Sequence, residues 1–251
     1  MQRPIQTYTD NFGQTVEFTI PSPHTNICIN ISGGADSAIL LYMLIKYCED
    51  HIPNACIHII TGANPVKGWY NAIWASRVID RVLNLTNTTL IKSQYTYFSD
   101  EQRRTELDTA EKVMHNVNNL SFTIHGTTQN PPLDIEELVE GRHTPRDEGH
   151  GFHRIQKSRL NETASTKIGT TTVVKNIQSI TRWMPFMDVD KRMVAYLYTH
   201  FDMLEALFPF TRSCEWHKGM SYLRLVVPNP GDKHCGECWW CKERKWAFGR
   251  L

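Results

Sequence analysis

The stretch Ile27-Cys28-Ile29-Asn30-Ile31-Ser32-Gly33-Gly34-Ala35-Asp36-Ser37, continued by Ala38-Ile39-Leu40-Leu41-Tyr42-Met43-Leu44-Ile45, decides the fold of this chain. Its first part is apolar and β-branched and reads as a buried strand. Its last part reads as an apolar helix, so Ser-Gly-Gly falls on a strand-to-helix turn. Backbone N–H groups on such a turn converge on an anion, and the helix N-terminus adds partial positive charge. Gly33 and Gly34 lack a Cβ, which lets the backbone approach a phosphate closely. Ser32 and Ser37 add hydroxyl donors. Asp36 repels a bare phosphate but suits one that carries Mg²⁺. The plain alternative is a glycine turn that only caps a helix.

The string is not a Walker loop, because no Lys follows the glycines at the required spacing, and it is not Gly-x-Gly-x-x-Gly. Ser-Gly-Gly-x-Asp-Ser resembles the signature of the PP-loop ATP pyrophosphatases. The resemblance implies that Ser32, Gly33, Gly34 and Ser37 grip the pyrophosphate of ATP and that Asp36 holds Mg²⁺. A substrate oxygen then attacks the α-phosphate.

Outward from that stretch, the helix runs to about Glu49. Pro53-Asn54 turns the chain, and Ala55 to Ile60 forms a second strand ending in Thr61-Gly62. This βαβ unit predicts a Rossmann-like α/β fold, of the adenine nucleotide alpha hydrolase kind, with a parallel sheet flanked by helices. Ligands in such sheets lie at the carboxyl ends of the strands. Thr61 and Gly62 are therefore candidates for an adenosine contact, or simply a turn.

Thr15 to Ile20 alternates as an edge strand. A helix is expected over Trp69 to Leu85, with Trp69, Ile73, Ser76, Ile79 or Asp80, and Leu83 on one face. Trp69 and Trp74 read as packing residues. Further elements are a strand at Thr88 to Lys92, a charged helix at Glu101 to Leu120 and a strand at Ser121 to His125. In the PP-loop family a glycine and a small hydroxyl residue at a strand end face the nucleotide. Gly126 and Thr127 match that pattern.

Residues 130–182 are polar, rich in His and Arg, and read as a long loop or lid. After Met184-Pro185-Phe186, Asp188 or Asp190 caps a helix through Met193, Val194, Tyr196, Leu197 and Phe201. Lys191 at its start is a candidate phosphate or acyl-phosphate contact, or a solvated lysine. A short helix is expected at Leu204 to Leu207. The division is a nucleotide-binding unit at 1–182 and a helical and metal-binding unit at 183–251.

With 251 residues, 41% hydrophobic and 21% charged, the composition is that of a globular protein. With a net charge of +1, nothing suggests a chain built to bind long nucleic acid by charge alone. No apolar run approaches membrane-spanning length and no signal pattern opens the sequence, so a cytoplasmic chain is expected. A homodimer is left open.

The seven cysteines form two sets. Cys28, Cys48 and Cys56 stand singly in apolar surroundings and read as buried thiols. Cys235-x-x-Cys238-x-x-Cys241 places three thiols on a tight turn entering a helix, and Cys214 arrives from a separate segment. Four thiolates suit a closed structural Zn²⁺ site, a four-cysteine zinc knuckle at the C-terminal end. A redox Cys-x-x-Cys pair and an iron–sulfur cluster are the alternatives. No electron-transfer partner is visible, which favours zinc. Trp216, Trp239 and Trp240 lie near the knuckle, either as packing or as a platform for a planar base.

Together the Ser32–Ser37 loop, Thr211-Arg212-Ser213-Cys214 and the Cys-Gly-x-Cys-x-x-Cys-x-x-Arg end resemble the 7-cyano-7-deazaguanine synthases. The likeness lies in two blocks, 27–45 and 184–248. It implies an ATP-dependent carbon–nitrogen ligase using ATP, Mg²⁺ and Zn²⁺ that converts 7-carboxy-7-deazaguanine and ammonia to the nitrile. Asp36, Ser37 and Lys191 would be the catalytic residues. The open alternatives are another carboxylate, including one on a protein, tRNA thiolation, sulfonucleotide reduction, and a nucleotide-binding module without catalysis.

Overall fold

A computed structural model describes residues 2–63, 70–98, 114, 118, 120, 122–126, 128, 164–168, 171–177, 180–214, 234, 236 and 238–251. The elements are β1 (Gln6–Thr9), β2 (Thr15–Phe18), β3 (Asn26–Asn30), α1 (Ala35–His51), β4 (Cys56–Ala63), α2 (Tyr70–Thr86) and β5 (Ile91–Phe98). Then follow β6 (Phe122–His125), β7 (Ala164–Ile168), β8 (Thr171–Ile177), β9 (Ile180–Trp183), α3 (Lys191–His200) and α4 (Trp239–Phe248). No helix among the described residues is long and apolar enough to cross a membrane.

The main sheet has the order β5-β4-β3-β6-β9-β8-β7. The pairs β5–β4, β4–β3, β3–β6 and β6–β9 are parallel, whereas β9–β8 and β8–β7 are antiparallel. The chain thus builds outward from β3 through β4 to β5, then crosses to lay β6 on the other side of β3. This reversal creates a crevice at the carboxyl ends of β3 and β6, where open α/β sheets bind ligands. The expected Rossmann-like sheet flanked by helices is the fold observed, with an antiparallel margin added.

The β3–α1 reading holds closely. Ile27, Cys28 and Ile29 are fully buried, as a strand covered on both faces requires. Along α1, Ala38, Ile39, Leu40, Leu41, Leu44 and Ile45 are buried too, so it is a core helix. One core joins α1, β3, β4, α2, β6 and α3, with Ile29, Leu41, Val78, Phe122 and Val194 all within it.

Elsewhere the boundaries move. The edge strand is β2, which pairs with β1 in a separate two-stranded sheet. β4 continues through Thr61 and Gly62 to Ala63, because the turn glycine lies inside the strand. The strand expected at Thr88–Lys92 begins at Ile91 instead. Asn87 takes a positive φ of 52°, and the Thr88 hydroxyl accepts from the Leu90 N–H at 3.3 Å, so these residues form the turn.

On α2 the buried face is Trp74, Ala75, Val78, Ile79 and Val82, while Ser76 and Asp80 are exposed. The stripe is offset from the expected one because Trp74 packs inward. Of the stretch read as a long loop, 130–163 lies outside the described residues; its end is not loop but supplies β7, β8 and most of β9. Threonine- and valine-rich segments pair there at the sheet margin. The short helix expected at Leu204–Leu207 is a set of turns leading to a 3-10 turn at Phe208–Phe210. The helix expected at Glu101–Leu120 falls almost wholly outside the described residues.

Asp190 is the cap of α3, its carboxylate accepting from the Arg192 N–H at 2.9 Å. The chain then brings α3 against both α1 and α4. That contact carries the C-terminal cysteines toward the β3 loop.

Candidate functional site: a glycine loop beside a thiol cluster

Gly34 caps α1 without a side-chain hydrogen bond. By helix geometry the N–H groups of the first turn have no intrahelical partner, and they face the crevice at the end of β3 with the positive end of the dipole. The loop is internally braced. Ser37 Oγ donates to the Gly34 carbonyl at 3.2 Å and accepts from the Ser32 N–H at 3.3 Å. Ser32 Oγ accepts from the Gly34 N–H at 3.4 Å. The Ile31 N–H reaches the Ile60 carbonyl at 2.9 Å, so the β3–β4 pairing continues to the edge of the loop.

Gly33 has a φ of 82°, and a Cβ there would lie 2.5 Å from Trp74 Cβ and 2.8 Å from the Ala75 nitrogen. The loop thus rests on the α2 backbone at a position only glycine fits. On the opposite strand, a Cβ on Gly126 would lie 3.0 Å from both the Asp36 carbonyl carbon and the Ser37 nitrogen. Gly126 is therefore brought against the loop across the crevice. Thr127 lies outside the described residues. Thr61 is buried, and Gly62 makes room for the Tyr97 hydroxyl, which a Cβ would meet at 2.6 Å.

Lys191 is not a solvated lysine. It is 4% exposed and its ammonium donates to both Asp36 oxygens, at 2.8 and 2.6 Å. Glu243 Oε2 lies 3.5 Å from the same nitrogen. Asp36, expected as a metal ligand, is thus also the ion-pair partner of Lys191.

Arg212 and Arg244, which the sequence offered only as members of motifs, complete the surroundings together with Arg77. The Arg212 N–H donates to the Gly33 carbonyl at 2.8 Å. Its guanidinium lies over the Trp74 ring at 5.5 Å, with Arg77 over the same ring at 4.6 Å. Trp74 is thus the packing residue expected. Arg244 is fully buried and lies 3.7 Å above the Phe208 ring. It donates to Thr211 Oγ1 at 2.8 Å and to the Phe208 carbonyl at 3.1 Å. Burial lowers its pKa to about 10, so it stays charged at neutral pH.

Arg244 clamps α4 to the strip leading into Arg212. Replacing it by Lys loses the planar fork. The expected cost is about 2 kcal/mol, or a melting temperature lower by roughly 4–8 °C in a chain of this size. Thermal unfolding followed by circular dichroism checks this.

Cys214, Cys238 and Cys241 place their sulfurs within 4.8 Å of one another. Cys235 lies outside the described residues, as does Trp216. Cys238 caps α4, and the Cys241 N–H donates to its carbonyl at 3.0 Å. Gly236, at a φ of 78°, allows the entering turn. A tetrahedral ion with metal–sulfur bonds of about 2.3 Å has sulfur–sulfur edges of about 3.8 Å. Cys238 and Cys214 stand 3.9 Å apart, so these thiols fit a single thiophilic ion. His234, which the cysteine spacing did not suggest, has Nδ1 3.7 Å from Cys241 Sγ. Burial, reinforced by the Arg244 charge, lowers its imidazole to about 4 and keeps it neutral. Of the isolated cysteines, Cys28 and Cys48 are buried as expected, and burial pushes the Cys48 thiol up to about 12. Cys56 is only half-buried, because it opens β4.

No protein-family model matches this sequence, and no curated protein matches it significantly. Solved structures of similar fold include the U34-tRNA thiolase NcsA from Methanococcus maripaludis with its 4Fe-4S cluster. It is 16% identical, with 90% of this chain and 70% of that one covered and a TM-score of 0.43. NMN synthetase from Francisella tularensis is 10% identical, with 90% of this chain and 85% of that one covered and a TM-score of 0.39.

Proposed function

We propose that this chain is an ATP-dependent adenylating enzyme of the PP-loop type, and that its substrate is the carboxylate of 7-carboxy-7-deazaguanine. The observation that carries the reading is the Ser32–Ser37 loop at the switch point of the sheet, with Gly126 opposite it and Lys191 paired to Asp36 beside it. That arrangement suits the triphosphate of a nucleotide.

The chemistry needs positioning and charge stabilisation more than a side-chain nucleophile. The carboxylate oxygen attacks the α-phosphorus and pyrophosphate leaves. Ammonia attacks the acyl carbon, AMP leaves, and the amine loses a proton to give the amide. A second adenylation of the amide oxygen, followed by loss of the nitrogen protons and AMP, gives the nitrile. The loop amides and the Ser32 and Ser37 hydroxyls hold the departing pyrophosphate. Lys191 places its charge where the phosphates crowd. Mg²⁺, bound with the nucleotide, would neutralise phosphate charge with Asp36 as its ligand on the protein.

We assign Zn²⁺ to Cys214, Cys238 and Cys241, with Cys235 as the fourth ligand. In a four-iron cluster each thiolate binds a different iron, so the sulfurs stand farther apart than on one ion. A closed thiolate site leaves no open position, so the ion holds structure and takes no part in the chemistry.

Incubating the pure protein with ATP, Mg²⁺, ammonia and 7-carboxy-7-deazaguanine, with mass-spectrometric detection, tests the reading. The expected products are the nitrile, AMP and pyrophosphate. AMP release with another carboxylate and none with this one keeps the adenylation and replaces the substrate. ADP as the sole nucleotide product, or no turnover with any carboxylate, overturns the adenylation. In the same assay Asp36→Asn is expected to lower AMP release by about a hundredfold. Its melting curve should stay close to that of the parent, since Glu243 still faces Lys191. Unchanged turnover removes Asp36 from the site.

A further inference from the structure

We infer that Glu243 is a positioning residue for Lys191, tying the helix that carries Cys241 to the phosphate loop; this inference rests on the nucleotide reading above. Glu243 lies on α4 within the same turn as Cys241. Its side chain is 1% exposed, and the Lys191 side chain is 6% exposed. One ammonium therefore stands between two carboxylates, Asp36 at 2.6 Å and Glu243 at 3.5 Å, brought together from opposite ends of the chain.

Stability alone does not explain Glu243. A well-packed apolar side chain in a buried site is often at least as stabilising as an ion pair. The carboxylate instead sets the charge balance around Lys191. With nucleotide bound, a cation accompanying the phosphates would compete with the ammonium for Asp36. Glu243 then keeps Lys191 directed at the loop. Because Glu243 is carried by the thiol-bearing helix, an intact knuckle sets the place of a side chain at the phosphates. Arg244 fixes that helix to the Phe208–Thr211 strip, so the helix is anchored on a second face.

The test compares the parent with Glu243→Gln and Glu243→Asp in the metal-loaded full chain. Calorimetry measures Mg-ATP affinity, and trace acetylation with mass spectrometry measures the reactivity of Lys191. Bound metal and the melting curve are the controls. Glu243→Gln is expected to keep the metal, to weaken Mg-ATP binding about tenfold and to raise Lys191 acetylation by a similar factor. Glu243→Asp is expected to recover most of both, which a purely packing role would not produce.

If Glu243→Gln leaves affinity and acetylation unchanged, the inference falls while the nucleotide site stands. If the parent itself does not bind Mg-ATP, the nucleotide reading falls, and the acetylation result decides the role of Glu243 alone. Should Glu243→Gln not fold, Glu243→Met keeps the volume without the charge. Failure of both to fold marks the residue as structural and overturns the inference.

Discussion

Gly33→Ala is expected to weaken nucleotide binding by about a hundredfold or more, whereas Gly34→Ala is expected to be tolerated. The two glycines are neighbours in one turn, but their surroundings differ. An alanine at 33 adopts a left-handed φ at a cost of about 1–2 kcal/mol. Its methyl group also enters the α2 backbone, where the Trp74 carbonyl carbon would lie 2.7 Å away. That contact is with main chain, not with a side chain that can rotate aside. Either α2 shifts or the loop does, which adds about 1–3 kcal/mol. A displaced loop no longer points its amides at one place. The affinity for Mg-ATP should fall by about a hundredfold or more, equivalent to about 2.7 kcal/mol. At Gly34 the nearest atom to a new methyl group is Ser32 Oγ at 3.4 Å, an ordinary contact. Calorimetric titration of both variants measures the contrast. No loss in Gly33→Ala would remove the loop from nucleotide binding, and equal loss in the two would overturn the steric distinction drawn between them.

The second large effect concerns Cys238. A structural zinc ion contributes on the order of 10 kcal/mol of apparent folding free energy at neutral pH. Cys238→Ser is expected to lower the metal content, measured by elemental analysis, and to lower the melting temperature well beyond the shift of Arg244→Lys. Through α4 and Glu243 the loss should also reach the phosphate site. Cys56→Ser is the control: its thiol is half-buried at the start of β4, so its metal content should match the parent. Iron and inorganic sulfide in the purified parent would replace zinc by a cluster. Full metal content with no activity in Cys238→Ser would make the thiol catalytic and favour sulfur transfer.

What the sequence made legible follows the range of the forces involved. The strand, glycine turn and helix at 27–45 are local, so composition and periodicity found them. The Cys235-x-x-Cys238-x-x-Cys241 spacing is likewise local, and thiol chemistry added Cys214 from a separate segment; the structure brings Cys214, Cys238 and Cys241 together. Lys191 was legible only as a pair of alternatives. Whether a lysine at a helix start is solvated or buried depends on Asp36, which lies far away in sequence. Glu243 was illegible for the same reason, and Arg244 was legible as the end of the cysteine motif but not as a clamp. A Lys-Glu-Arg run on a short helix looks like a solvated face, and only the docking of α4 on α3 buries it. Arg212 was quoted as part of a motif, yet its tie to Gly33 runs through the main chain, which leaves no mark in residue type. The strands β7 and β8 escaped because polar threonine-rich segments pair at a sheet margin without the apolar alternation that announces a core strand.

The hydrogen bond from the Arg212 N–H to the Gly33 carbonyl has a further consequence for the order in which this molecule is made. On the ribosome the loop emerges together with the strand and helix that flank it. Arg212, which fixes its carbonyl, and Lys191 and Glu243 beside Asp36 follow only after a long intervening stretch. Contacts between such distant segments form late, after the cost of closing a long stretch of chain has been met. The strand, turn and helix that carry the loop therefore form from local contacts, whereas the contacts that finish its surroundings wait for segments far along the sequence.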